Sequence, residues 1–322
     1  NFGAIGTAWL FSREKALENT SWLNFGKLRA SYGIAGSDLI GDYQYMDTYG
    51  ISTQKYDGVT GLEPLRLYNP DFSWENNKKL EAALEMEFFK GRLAPSVSWY
   101  RNRSSNQLVG IPLPGTTGFP SVQANLAATV ENSGWEFTLR SSNIDGKSFR
   151  WSTDVNLSLP RNRLIAFPNL EESTYASQYK IGSPVTIRKV YNYIGINKET
   201  GLYEVEDVNA DGIINIDDRT AVVNVGVRYF GGVHNKFTFG GWSFDFLWQF
   251  VKQNAYTPEY AATLFGSMSN SLADAADYFS ESNPNARYQK PTSGANSEAV
   301  QAFNNFKNSK GVIADASYIR LK

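Results

Sequence analysis

The dominant spacing along the chain is two. From Lys79 to Phe89, Leu80, Ala82, Leu84, Met86 and Phe88 alternate with Lys79, Glu81, Ala83, Glu85 and Glu87, so a strand there has one greasy face and one acidic face. Gly91 turns the chain with Lys90 and Arg92, and Leu93, Val97 and Trp99 return against Ala94, Ser96, Ser98 and Tyr100. The same plan recurs from Gly134 to Leu159. Trp135, Phe137 and Leu139 alternate with Glu136, Thr138 and Arg140, and Asn143 to Lys147 supplies the turn. Phe149, Trp151, Thr153, Val155 and Leu157 come back against Arg150, Ser152, Asp154, Asn156 and Ser158. A third hairpin joins His234–Phe239 to Ser243–Phe250 at Gly240-Gly241, with Phe244, Phe246, Trp248 and Phe250 on one face. An earlier strand, Phe25 to Gly33, sets Lys27, Arg29 and Ser31 opposite Leu28, Ala30 and Tyr32.

These patterns predict strands of about 9 to 11 residues, the length that crosses a bilayer at a tilt, where soluble strands run about 5 to 6. The turns alternate short with long: the tight ones contrast with connections from Gly36 to Lys78, Arg101 to Ser133 and Ala255 to Asp315. Short turns at one end and long loops at the other mark an outer-membrane barrel. Trp22, Trp99 with Tyr100, Trp135, Trp151, Trp242 and Trp248 suit interfacial girdles. The rival reading of the same pattern is a soluble β-sandwich with aromatic cross-strand pairs.

Composition narrows the chemistry. Zero cysteines in 322 residues exclude disulfides, thiol catalysis and Cys-ligated metal sites, and a single histidine, His234, reads as a structural residue of an aromatic strand. Lys plus Arg number 31 against 32 Asp plus Glu, which offers no electrostatic footprint for nucleic acid. No run approaches the roughly 18 to 20 apolar residues of a helical membrane span, and a mean hydropathy of -0.38 suits strands that average lipid-facing and lumen-facing positions. Glu81, Glu85 and Glu87 could pass for paired acid and base groups, yet alternate residues of a barrel strand simply line the lumen. No catalytic residue is assigned, and the chain reads as no enzyme. Trp74, Tyr68, Tyr191, Tyr193, Tyr256 and Tyr260 could stack on sugars, though each singly suits packing.

One stretch carries explicit metal chemistry. Residues 207–218 fit a twelve-residue calcium loop, with side-chain oxygens of Asp207, Asn209 and Asp211 at positions 1, 3 and 5. Gly212 stands at the sharp turn, the Ile213 carbonyl at 7, Asn215 at 9 and Asp218 at 12. Asp at the last position resembles the dockerin variant. The expected cofactor is therefore a structural calcium ion within an extracellular loop; the bland alternative is a surface loop of Asx turns that holds no metal.

Several segments together resemble the SusC/RagA family of TonB-dependent outer-membrane transporters. They are Asn69-Pro70-Asp71-Phe72-Ser73-Trp74-Glu75 with the hairpin that follows, Pro112 to Phe119, Val130 to Glu136, Glu199 to Leu202 with Asp207 to Asp218, and Asp315 to Lys322. The resemblance implies an all-β antiparallel transmembrane barrel of 22 strands with long extracellular loops. Its implied partners are outer-membrane lipid, a SusD-like surface lipoprotein that closes over glycan or peptide, and a TonB–ExbB–ExbD complex that drives import. The chain opens and stops within strand-like pattern, and nothing in it matches the family's plug, TonB box or final strands. Residues 1–322 are thus expected to be a partial barrel that alone neither closes nor transports. The alternative is a soluble, calcium-stabilised β domain that binds carbohydrate.

Overall fold

The computed structural model describes residues 2–37, 45–69, 73–119 and 121–322. The chain runs β1 (Gly3–Trp9), β2 (Leu23–Ser37), β3 (Thr48–Tyr56), β4 (Val59–Arg66), β5 (Glu75–Phe88), β6 (Leu93–Pro112), β7 (Ser121–Asp145) and β8 (Phe149–Ala166). Four short strands follow: β9 (Ile187–Val190), β10 (Tyr193–Ile196), β11 (Tyr203–Val205) and β12 (Ala221–Asn224). Then come β13 (Val227–Phe239), β14 (Trp242–Tyr256), helices α1 (Pro258–Ala261) and α2 (Ser297–Lys307), β15 (Ile313–Asp315) and β16 (Tyr318–Leu321). The long strands form one antiparallel sheet in the order β1-β2-β5-β6-β7-β8-β13-β14-β15, with β16 also on β14. All three expected hairpins and the Phe25–Gly33 strand are present.

Register shows why the alternation matters. Directly paired residues of an antiparallel sheet share a face, and Trp9, Leu28, Leu84, Val97, Phe137, Leu157, Gly231, Phe250 and Ile319 follow one another across nine strands. The neighbouring row reads Lys27, Glu85, Ser96, Thr138, Asn156, Gly232, Gln249 and Arg320. The apolar band descends along the strands from β2, where it holds Leu28 to Tyr32, to β14, where it holds Phe244 to Phe250. Strands tilted against a membrane plane require such a shift. A sandwich would bury this face under a second sheet about 10 Å away. Among the described residues no such sheet covers it: Ile5 is 75% exposed, Phe244 64% and Trp135 49%. No described helix is long and apolar enough to cross a membrane.

The expected strand lengths need correction. β5, β6, β7 and β8 have 14, 20, 25 and 18 residues, well beyond the roughly 11 that span a bilayer. The segment from Arg101 to Ser133 is accordingly no long loop; both strands continue through it and turn only between Pro112 and Ser121. Hydrophobic alternation stops where the outward face leaves lipid, but backbone pairing does not depend on it. A bulge at Asn106, whose φ is 61°, re-registers the hairpin. The Asn106 amide donates to Ser73 Oγ and the Trp74 carbonyl, tying the bulge to the entry of β5.

The other two long connections carry structure of their own. Gly36 to Lys78 contains the β3–β4 hairpin, and Ala255 to Asp315 contains α2. Pro70, Asp71 and Phe72 of the family-like stretch lie outside the described residues. Trp99 and Trp135 sit within their strands rather than at the ends, paired with each other on the outward face. Tyr100 belongs to the opposite, polar face beside Glu81 and Gly134.

Gly231 is required by close approach. A Cβ there would stand 2.2 Å from the Asn156 carbonyl oxygen and 2.7 Å from the Phe250 ring. Replacing Gly231 with Val should cost about 1–3 kcal/mol through overpacking. In the full-length protein this should lower the temperature at which heat-modifiable gel migration is lost, whereas Gly241→Ala, in open space at a turn, should leave it unchanged.

Candidate functional site: the polar wall and the loop module

The polar face of the sheet is a wall of paired charges. Arg29, projecting from β2, donates through Nη1 to Glu81 at 2.5 Å and through Nε to Glu85 at 2.9 Å, while Lys27 Nζ lies 3.6 Å from Glu85. These partners face one another because Lys27 pairs with Glu85 and Ser31 with Glu81 in register. Farther along the wall, Arg140 Nε is 3.5 Å from Asp154, and His234 Nε2 is 3.0 Å from Asp245. Two of the three β5 glutamates thus make ion pairs with β2, and His234 on β13 faces Asp245 on β14. A hollow of about 1150 Å³ opens on this face, lined by Ser31, Glu81, Ser98, Tyr100, Asn102 and Glu136 among others. Its hydroxyl, amide and carboxylate groups, among them Ser98 Oγ donating to Glu136 at 3.4 Å, can hydrogen-bond a polar solute or a packed protein segment.

At the end opposite the tight turns, residues 190–206 and 257–312 fold together. Tyr203, Phe265, Tyr288, Phe303, Phe306 and Val312 are their buried core, with the Tyr203 and Phe306 rings stacked at 3.9 Å. Gln289, 1% exposed, staples the two segments: its Oε1 accepts from the Tyr203 amide and its Nε2 donates to the Ala299 carbonyl. Buried Glu259 receives the Arg287 guanidinium and the Tyr288 hydroxyl. Burial works against the Glu259 charge, yet hydrogen bonds and Arg287 hold its carboxyl below the ordinary range. Helix α2 begins where the Asn296 side chain accepts from the Ala299 amide, and it buries Ala299, Phe303 and Phe306 on one side. Asn296 as cap, Glu298 in the first turn and the apolar spacing mark this helix in the sequence, where period-two alternation does not reveal it. Of the candidate sugar-stacking aromatics, Tyr191 is buried under Arg219 and Tyr193 packs on Phe306. Tyr256 stacks on Tyr260 at 4.1 Å and Trp74 on Phe2, and Tyr68, Trp74 and Tyr260 remain exposed.

The oxygen-rich loop lies between β11 and β12. Ala210 and Gly212, with φ of 57° and 81°, bend it sharply. Asp207 Oδ2 accepts from the Gly212 amide at 2.8 Å, Asn209 Oδ1 from Asp211 at 3.1 Å, Asp211 Oδ1 from Ile213 at 2.7 Å and Asn215 Oδ1 from Asp217 at 2.8 Å. Asp218, fully buried, accepts from the Val208 and Asn215 amides, each at 2.9 Å. Asp207 Oδ1 is shielded from solvent and has no partner. Among the described residues no three Asp, Glu or His side chains gather closely enough to count as a metal cluster. The carboxylates here are turned to backbone amides.

The sheet and its two faces define the class, and comparison agrees with them. Residues 4–288 match the family model described as "TonB dependent receptor-like, beta-barrel", and the chain belongs to that family. It is 31% identical over 294 residues to TonB-dependent receptor P39 of Formosa agariphila, covering 87% of this chain and 27% of that protein. It is 24% identical over 180 residues to TonB-dependent receptor SusC of Bacteroides thetaiotaomicron, covering 54% of this chain and 18% of SusC. The RagAB peptide importer in its closed-closed state shares the fold, with a TM-score of 0.79 at 21% identity over 100% of this chain and 36% of that one. The chain therefore spans about a third or less of the relatives it matches.

Asp218 yields a pH test of the loop. Hydrogen bonding from the Asn215 amide, joined by Val208 and opposed by burial, holds its carboxyl below the ordinary Asp value. A depressed native value means that its contribution is complete above the unfolded pKa of about 3.9 and is lost as pH falls through the lowered native one. Pepsin cleavage within 207–218 of the full-length protein should accordingly appear only well below about pH 3.9. An Asp218→Ala variant should be cut there throughout pepsin's active range.

Proposed function

We propose that this chain forms part of the barrel of an outer-membrane, TonB-dependent importer of glycans or peptides. The observation that carries the reading is the pair of faces: an apolar row continuous over nine strands backs a wall of polar and paired charged groups. Lipid meets the first and transported solute, or the segment that gates it, meets the second. The loop module built on Tyr203, Tyr288 and Phe306 supplies a rigid extracellular rim suited to a SusD-like lipoprotein that closes over substrate. Energy would come from a TonB–ExbB–ExbD complex acting on a part of the importer other than this wall. No covalent chemistry is assigned to the chain. Fractionation of cells carrying the whole gene should place the protein in the outer membrane, with heat-modifiable migration in detergent gels. Recovery from the soluble periplasm would refute this.

A structural calcium ion is the second element of the reading. The donors are hard oxygens, those of Asp207, Asn209, Asp211, Asn215 and Asp218 with the Ile213 carbonyl. What favours an ion over a plain Asx-turn loop is Asp207 Oδ1, shielded and unpartnered, since an unpaired buried oxygen is costly. Calorimetry on the full-length protein should show calcium binding that an Asp211→Ala variant loses; equal heats for both would end the assignment.

A further inference from the structure

We propose that the β6–β7 ribbon above Asn106 is a hinged arm, held in place by a polar latch on Ser73 and free to swing when the latch opens. Its role at the entrance of an importer rests on the reading above; the swing itself does not. Pairing sets the arm apart from the wall. β5 accompanies β6 only as far as Ser105, opposite Asn76, and β8 accompanies β7 only as far as Thr129, opposite Ala166. Among the described residues, 107–111 and 122–126 therefore pair with each other alone. A two-stranded ribbon with no further sheet beside it is marginally stable. At its base the ladder is already interrupted, since the register shifts between Ser105 and Gln107 and Asn106 takes the left-handed conformation there.

Unlike interactions hold that base on its two sides. Toward β8, Leu126 packs against the cluster of Ala128, Leu164, Phe167 and Leu170, an apolar contact that is not directional. Toward β5 the contact is polar. Asn125 Oδ1 accepts from the Ser73 amide at 2.8 Å, and its Nδ2 donates to the Ser73 carbonyl at 2.7 Å and to the Asn106 carbonyl at 2.9 Å. Asn106 Nδ2 donates to Ser73 Oγ at 2.6 Å and to the Trp74 carbonyl at 3.1 Å. Asn125 thus grips the main chain of Ser73 as an adjacent strand would, at a point where β5 has not begun. Ser73 and Trp74 are exposed, so water competes for each of these bonds. The apolar side is the pivot and the polar side the catch. Asn102 of β6 and Asn132 of β7, just below the bulge, line the hollow of the polar face. A swing of the arm therefore changes the mouth of that hollow.

The test is amide hydrogen exchange, read by mass spectrometry on the full-length protein in detergent. In the unaltered protein, 107–111 and 122–126 should exchange at least tenfold faster than 101–104 and 130–133, which lie on the same strands beyond the tryptophan row but inside the sheet. Asn125→Ala should speed the arm and Ser73–Trp74 by about another tenfold and leave 101–104 and 130–133 unchanged. Asn106→Gly keeps a residue suited to the left-handed bulge and should act in the same direction. Access to the hollow is read with Asn102→Cys in a full-length background without other cysteines: adding Asn125→Ala should speed its reaction with a polyethylene-glycol maleimide at least threefold. Equal exchange of arm and wall in the unaltered protein overturns the hinge, and that comparison needs no variant. So does a folded Asn125→Ala protein that exchanges like the unaltered one, or one whose acceleration spreads through the wall. Unchanged maleimide reactivity overturns the arm's hold on the mouth. Recovery of the protein from the soluble periplasm would instead strike the importer reading and leave the exchange result standing.

Discussion

A backbone inside a bilayer has no water to satisfy its amides and carbonyls, so every one must be paired within the protein. Sheet pairing meets that demand and imposes a second condition: neighbouring residues point to opposite sides. A chain that lies between lipid and a hydrated interior must therefore change character at every residue. The row from Trp9 to Ile319 and the adjacent row from Lys27 to Arg320 are what that requirement looks like when read across strands. Low mean hydropathy and abundant aromatics coexist in this chain because each strand belongs to two solvents.

Above the membrane the constraint relaxes, and the strands respond differently on their two sides. β6 and β7 keep pairing far past Trp99 and Trp135 because their ladder is self-sufficient, while the outward residues turn from Trp and Leu to Arg and Glu. Beyond the strands the loops bury aromatics of their own. Tyr203 and Phe306, from segments on either side of β13 and β14, share one core, and Gln289 bridges them through two buried hydrogen bonds. Tyr256 at the end of β14 and Ile313 of β15 pack against the same core, which joins the loops to the sheet.

The hairpins were readable because period-two alternation is a physical demand of the lipid-facing sheet, and Gly91 and Gly240 mark their turns. Strand ends were not readable by the same rule. Arg101 to Ser133 lacks greasy alternation and reads as loop, although Asn106 bulges within a continuing ladder. The ion pairs of Arg29 with Glu81 and Glu85 depend on register, which a single strand's pattern leaves open. For the oxygen-rich loop, sequence supplied the donors and the Gly212 turn, while the burial of Asp218 and the unpartnered Asp207 oxygen needed tertiary context. Tyr191 and Tyr193 reverse the lesson: aromatic loop residues that could stack on sugar are consumed by packing.

The central claim is that alternate residues of one strand face lipid and lumen, and none of these 322 residues is a cysteine that would compete with an introduced one. Single cysteines placed at Leu84, Glu85, Met86 and Glu87 of the full-length protein in membranes can each carry a bimane fluorophore. The account predicts quenching by brominated lipid at 84 and 86, and by aqueous iodide at 85 and 87. Quenching without that alternation, or in the opposite phase, would contradict it.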